Sequence, residues 1–98
     1  MRTAEEILRT LEENADAIRR FGVRRLGLFG SHAHGTAHEG SDIDLVVDFE
    51  SKSFDAYMDL RDFLQRLFGC RVDLVLTDAI KPRLHRRILD EALHAPGL

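Results

Sequence analysis

An alternation of helical and extended apolar patterns constrains this chain more than any other feature of its sequence. Ile43 to Phe49 and Val72 to Leu76 are apolar runs of strand length. Val23 to Phe29 reads as another strand, with Leu26, Leu28 and Phe29 as its apolar content and Arg24 and Arg25 marking an exposed start. Helical periodicity fills the rest. Thr3 and Glu6 have capping-box spacing. Ile7, Leu8, Leu11, Ala15 and Ile18 recur at steps of three and four, which predicts a helix over 3–21. Gly22 then stands where a helix end wants a left-handed residue. Ser53 caps a helix over 53–68 with Tyr57, Leu60, Leu64, Leu67 and Phe68 as its stripe, and Gly69 stops it. A helical turn or two is expected near 31–37. Pro82 suits the first position of a last helix, with Leu84, Ile88, Ala92 and Leu93 turned inward and an end by Pro96. The order α-β-α-β-α-β-α is an α/β plan.

A chain of 98 residues is one domain by size and can bury roughly 65% of its unfolded surface, enough for a single modest core. No stretch approaches the ~20 apolar residues of a membrane span, and no basic segment leads into an apolar run as in a secretory signal. Cys70 is the one cysteine and has no internal partner for a disulfide, which fits a reducing cytoplasm. With 14 basic and 17 acidic side chains the chain lacks the basic footprint of a nucleic-acid binder.

The chemistry concentrates in Gly30-Ser31 and in Ser41-Asp42-Ile43-Asp44. Aspartates two apart on a strand point to one face, and side-by-side carboxylates repel unless something positive neutralises them. They are hard oxygen ligands of the kind Mg²⁺ takes together with substrate phosphates. Ile43, Leu45 and Val47 point the other way, into a core. Asp73, between Val72 and Leu74, is a third carboxylate, and burial there would demand a partner. If it shares the face of Asp42 and Asp44, the three suit a two-metal site for in-line phosphoryl transfer. Asp73 as an ion-pair partner of Arg71 or Arg24 is the structural alternative.

This arrangement dictates strand directions. Gly30 and Ser31 close the first strand and Asp42 and Asp44 open the second, so the two must run antiparallel to meet one ligand. Asp73 lies near the start of the third strand, so the second and third run parallel, with helix 53–68 as the crossover such a pair requires. The expectation is a small mixed β-sheet with helices mainly on one face. The Gly-Ser turn presents backbone N–H groups suited to phosphate. Other motifs fail. Gly30-x4-Gly35 is followed by Thr36 where a P-loop needs Lys, and Asp42-x-Asp44 is followed by Val46 and Val47 where a calcium loop needs a ligand and Gly.

Gly30-Ser31, a short glycine-containing segment, Ser41-Asp42-x-Asp44 and a later strand Asp73 resemble the nucleotidyltransferase superfamily that includes DNA polymerase β. The likeness is closest to the minimal nucleotidyltransferases. It runs over nearly the whole chain, including Val72-Asp73-Leu74-Val75 and Ile80-Lys81-Pro82-Arg83-Leu84. The resemblance implies Mg²⁺ on Asp42, Asp44 and Asp73, with Asp73 also helping to deprotonate the attacking hydroxyl. It implies ATP as the nucleotide donor, contacted by Gly30, Ser31, His34 and Ser41. It implies transfer of AMP with release of pyrophosphate, and a role as antitoxin to a HEPN ribonuclease toxin modified on tyrosine. The family often carries Arg where this chain has His34, a side chain charged only part of the time near neutral pH.

Two alternatives stay open: a non-catalytic antitoxin that neutralises its partner by covering it, and a small-molecule nucleotidyltransferase. The size of the chain leaves no room for an acceptor domain, so the attacking hydroxyl is expected on another molecule. An exposed sheet edge also leaves self-association open. Of the other polar residues, His32, His34 and His38 read as solvated loop histidines rather than a transition-metal cluster, and Cys70 and Tyr57 as packing. Lys81, Arg83, His85, Arg86 and Arg87 put cations in the first half of the last helix, where the helix dipole disfavours them. They form a solvated face or meet an acidic partner or the nucleotide phosphates.

Overall fold

The computed structural model describes residues 3–37, 41–51, 53–80 and 82–98, without the side chains of 84–87 and 89. Its elements are α1 (Ala4–Glu13), α2 (Ala15–Arg19), β1 (Val23–Phe29), α3 (Gly30–His34), β2 (Ile43–Phe49), α4 (Phe54–Phe68), β3 (Val72–Leu76), a 3₁₀ turn (Thr77–Ala79), α5 (Pro82–Glu91) and β4 (Leu93–His94). The strands form one mixed sheet in the order β3-β2-β1-β4. β1 and β2 are antiparallel, β2 and β3 are parallel, and α4 is the crossover between the parallel pair.

Alternation along the strands sorts the two faces. Leu26 and Leu28 of β1, Ile43, Leu45, Val47 and Phe49 of β2, and Val72 and Leu74 of β3 are buried in one cluster with Ile7 and Leu11 of α1, Ile18 of α2 and Leu60, Leu64 and Phe68 of α4. Helices α1, α2 and α4 therefore cover one face. Gly27, Asp44, Val46, Asp48, Asp73 and Val75 belong to the other. Capping follows the sequence. Thr3 Oγ1 accepts from the Glu6 N–H at 3.1 Å, and Ser53 Oγ accepts from the Ala56 N–H at 3.0 Å. Gly69 ends α4 in the left-handed conformation at φ 65°. Tyr57 packs half-buried, its hydroxyl donating to the Leu74 carbonyl at 2.6 Å.

Three expectations are corrected. The helix expected over 3–21 breaks at Asn14, which sits at φ −110°, ψ 15° between α1 and α2. Its Nδ2 donates to the Thr10 carbonyl at 2.8 Å, the competition with the helix ladder for which Asn is known. The chain after Glu91 is not helical: Leu93–His94 pairs antiparallel with Gly27 and Leu28, and the Ala95 N–H donates to the Leu26 carbonyl at 2.9 Å. Leu93 is accordingly exposed rather than turned inward, while Ala92 is buried. The inward expectation for Leu84 lies outside the described side chains. Finally, Asp73 is exposed, because β3 is an edge strand, so no burial penalty calls for a partner. No helix among the described residues is long and apolar enough to cross a membrane.

Candidate active site

The site is built where β1 ends and β2 and β3 begin. Phe29 of β1 lies opposite Asp44 of β2, and Asp44 lies opposite Asp73 of β3. One row across the sheet thus carries two carboxylates on adjacent strands, about 4.8 Å apart in the pairing direction. Asp42 precedes β2 by one residue, half-exposed, with its Oδ2 3.8 Å from Arg71 Nε. The Ile43 N–H donates to the Arg71 carbonyl at 3.1 Å, which continues the β2–β3 pairing past the strand end and keeps Arg71 beside Asp42. Arg24 pairs with Asp48 at 2.8 Å. The alternative in which Asp73 pairs with Arg71 or Arg24 is therefore not realised.

Gly30 turns the chain from β1 into α3 at φ 76°, a conformation that glycine adopts without the penalty a Cβ brings. A Cβ at Gly30 would overlap the Asp44 carboxylate, lying 2.9 Å from its Cγ. The turn thus brings its backbone directly against Asp44. Ser31 follows, half-buried, its carbonyl accepting from the Thr36 N–H at 2.9 Å. Gly35 closes α3 at φ 72°. Ser41 is half-buried just before Asp42. His34, exposed at the end of α3, places Nε2 3.2 Å from Glu91 Oε2 at the end of α5, so its ring is tied to α5. His38 lies outside the described residues. Arg83 is exposed, Lys81 lies outside the described residues, and the side chains of His85, Arg86 and Arg87 are not described.

His32 is the residue that sequence reasoning missed. It is buried at 6% exposure rather than solvated, and its Nδ1 has no hydrogen-bond partner. Its positive charge, when present, favours the ionised form of Asp44. A five-residue helix carries no periodicity from which this could be read.

Burial raises the pKa of Asp44 above the ordinary aspartate range, the charges of Asp73 and then Asp42 raise it further, and His32 opposes them. A carboxyl whose folded pKa lies above its unfolded value costs folded-state stability at pH above both, and the cost fades as pH falls through the raised value. Asp44→Asn is thus expected to raise Tm at pH 7 without divalent ions by roughly 2–4 °C. That is the worth of about half a kcal/mol in a domain this size, the partial exposure of the group keeping solvent screening strong. A lowered Tm in a thermal melt would assign Asp44 a structural role instead.

Among the described residues no three His, Cys, Asp or Glu side chains form a ready-made metal cage. The donor chemistry nevertheless fits a hard divalent cation. Asp44 is destabilised by its like-charged neighbours, the remedy is positive charge, and Mg²⁺ characteristically takes one or two carboxylates and completes its shell with water and substrate phosphate.

A small mixed sheet with a Gly-Ser turn set against carboxylates on adjacent strands defines the nucleotidyltransferase class of enzyme. The chain matches the family model described as nucleotidyltransferase domain over residues 4–94, and it belongs to that family. It is similar to the protein adenylyltransferase MntA of Thermococcus cleftensis, 41% identical over 96 residues that cover 96% of this chain and 97% of the relative. Among solved structures, one taken to be a minimal nucleotidyltransferase is 38% identical with a TM-score of 0.74, covering 88% of this chain and 93% of that one. A toxin–antitoxin crystal structure with AMP-PNP is 25% identical with a TM-score of 0.70, covering 89% of this chain and 73% of that one.

Proposed function

We propose that this chain transfers AMP from ATP to a tyrosine hydroxyl of a HEPN-type partner protein and thereby acts as its antitoxin. The observation that carries the reading is the register that sets Asp44 beside Asp73 with Gly30 packed against Asp44. The name and near-full-length similarity of the adenylyltransferase relative support protein AMP transfer, and the toxin–antitoxin structure with AMP-PNP supports both the nucleotide and the partner.

Bound Mg²⁺ would be held by Asp42 and Asp44, with Asp73 sharing it, and would neutralise charge on the α-phosphate and the leaving group. The chain's own residues do the rest. The backbone of Gly30 and the hydroxyls of Ser31 and Ser41 hold the triphosphate, and His34 reaches it on leaving Glu91, so that the α-phosphorus lies over Asp44. The partner hydroxyl attacks that phosphorus, an O–P bond forms, the α–β phosphoanhydride bond breaks and pyrophosphate leaves. The hydroxyl proton passes to the Asp73 carboxylate, which its exposure leaves accessible to an incoming protein. The buried His32 imidazole limits the repulsion that gathers on Asp44.

Incubation with α-labelled ATP, Mg²⁺ and the partner is expected to label the partner on tyrosine, and chelation of divalent ions with EDTA is expected to abolish the label. Labelling that persists at full rate in EDTA would contradict the role given to the carboxylates.

A further inference from the structure

The face of the sheet that carries Asp44 and Asp73 also holds a cleft of about 380 Å³, floored by Gly27 and Val46 and rimmed by Arg25, Asp48, Thr77 and His94. Strand pairing orders this face into rows. Phe29, Asp44 and Asp73 form the first. His94, Gly27, Val46 and Val75 form the second, and Arg25 with Asp48 the third. At about 3.3 Å per residue the second row lies roughly 7 Å from Asp44 along β2 and the third roughly 13 Å. Gly27 keeps the floor open: a Cβ there would come within 3.3 Å of both Val46 Cγ1 and Ala92 Cβ.

The position of the cleft selects its occupant. The Gly30-Ser31 turn continues beyond the first row, off the end of β1, whereas the cleft lies on the inner side of that row. Asp44 therefore stands between the two. In-line displacement puts the leaving group and the attacking hydroxyl on opposite sides of the phosphorus. With pyrophosphate departing on the Gly30-Ser31 side, an acceptor seated on the cleft side of Asp44 meets that requirement. The charge of the rim narrows the choice. Asp48 is held by Arg24 through Nε at 3.0 Å and Nη2 at 2.8 Å, while Arg25 and His94 are exposed.

We propose that this cleft seats the acceptor polypeptide, with Arg25 and His94 binding acidic side chains near the tyrosine that receives AMP. The proposal rests on the AMP-transfer reading above. The decisive experiment compares the whole wild-type chain with Arg25→Glu and Arg25→Ala in steady-state AMP transfer, varying partner and ATP separately, with melting curves to verify folding. Arg25→Glu is expected to raise KM for the partner at least tenfold, Arg25→Ala less, both with KM for ATP within twofold of wild type. An unchanged partner KM overturns the proposal. So does a raised KM for ATP, which would make the cleft a nucleoside site. If the wild-type chain transfers no AMP, the functional reading fails by itself, and calorimetric titration of the partner into the same proteins decides the cleft: tenfold weaker binding by Arg25→Glu upholds it as the partner surface, and equal binding overturns it.

Discussion

Gly30→Ala is expected to lower both the stability of the chain and its rate of AMP transfer, the second far more than the first. Alanine at φ 76° carries the left-handed penalty of about 1–2 kcal/mol, which a thermal melt reads as a fall of several degrees in a domain this size. The larger consequence is local. The new methyl group and the Asp44 carboxylate would claim one space, so either the turn or the carboxylate must move. A displacement of about 1 Å in a positioned catalytic group costs on the order of a hundredfold in rate, and both the turn proposed to bind phosphate and the carboxylate proposed to bind metal are affected here. Steady-state transfer to the partner therefore falls at least 100-fold while far-ultraviolet circular dichroism stays native. A Gly30→Ala protein with wild-type turnover would show that the contact between the turn and Asp44 has no catalytic meaning.

The second large effect belongs to the carboxylates. Asp42→Asn combined with Asp44→Asn keeps the shape of both side chains and removes two charges from a site where burial and then like charges already raise the pKa of Asp44. Folding does not suffer, and without divalent ions the double variant melts at or above the wild-type temperature. Transfer of AMP falls at least 1,000-fold, a loss of about 4 kcal/mol of transition-state stabilisation. Loss of rate together with gain in stability is the signature of groups kept for chemistry at the expense of the fold. Intact-mass measurement of the partner, co-expressed with each protein, reads the outcome. An AMP adduct is expected with wild type and unmodified partner with the double variant.

Much of this architecture was legible in the chain because local pattern and global fold agree. The alternation of Ile43, Leu45 and Val47 with Asp44, Val46 and Asp48 set the two faces of β2. The end-of-strand position of Gly30-Ser31 and the start-of-strand positions of Asp42, Asp44 and Asp73 required the antiparallel and parallel pairings observed. What escaped depends on contacts distant in sequence or on segments too short to carry a period. Leu93–His94 is a strand only because Gly27 and Leu28 offer it a ladder, and two residues have no alternation to detect. The break at Asn14 comes from one side-chain hydrogen bond inside an otherwise continuous apolar stripe. The apolar neighbours of Asp73 hid its exposure, which follows from β3 lying at the sheet edge. His32 is buried by the packing of α3 rather than by any property of its neighbours in sequence.

The cleft beside the site is of the same kind. Arg25, Gly27, Asp48 and His94 come from three strands, and only the register of the folded sheet makes them one surface. The acceptor role proposed for it would therefore be invisible to any reading of the linear chain.

Mn²⁺ binding followed by electron paramagnetic resonance decides whether aspartates from two strands grip a divalent ion together with a nucleotide. With AMP-PNP present, the wild-type chain is predicted to take up Mn²⁺ and to release it when Mg²⁺ is added in excess, whereas the Asp42→Asn, Asp44→Asn variant leaves the ion free in solution. Equal uptake by both proteins, or none by the wild-type chain, would mean that these carboxylates do not hold the metal.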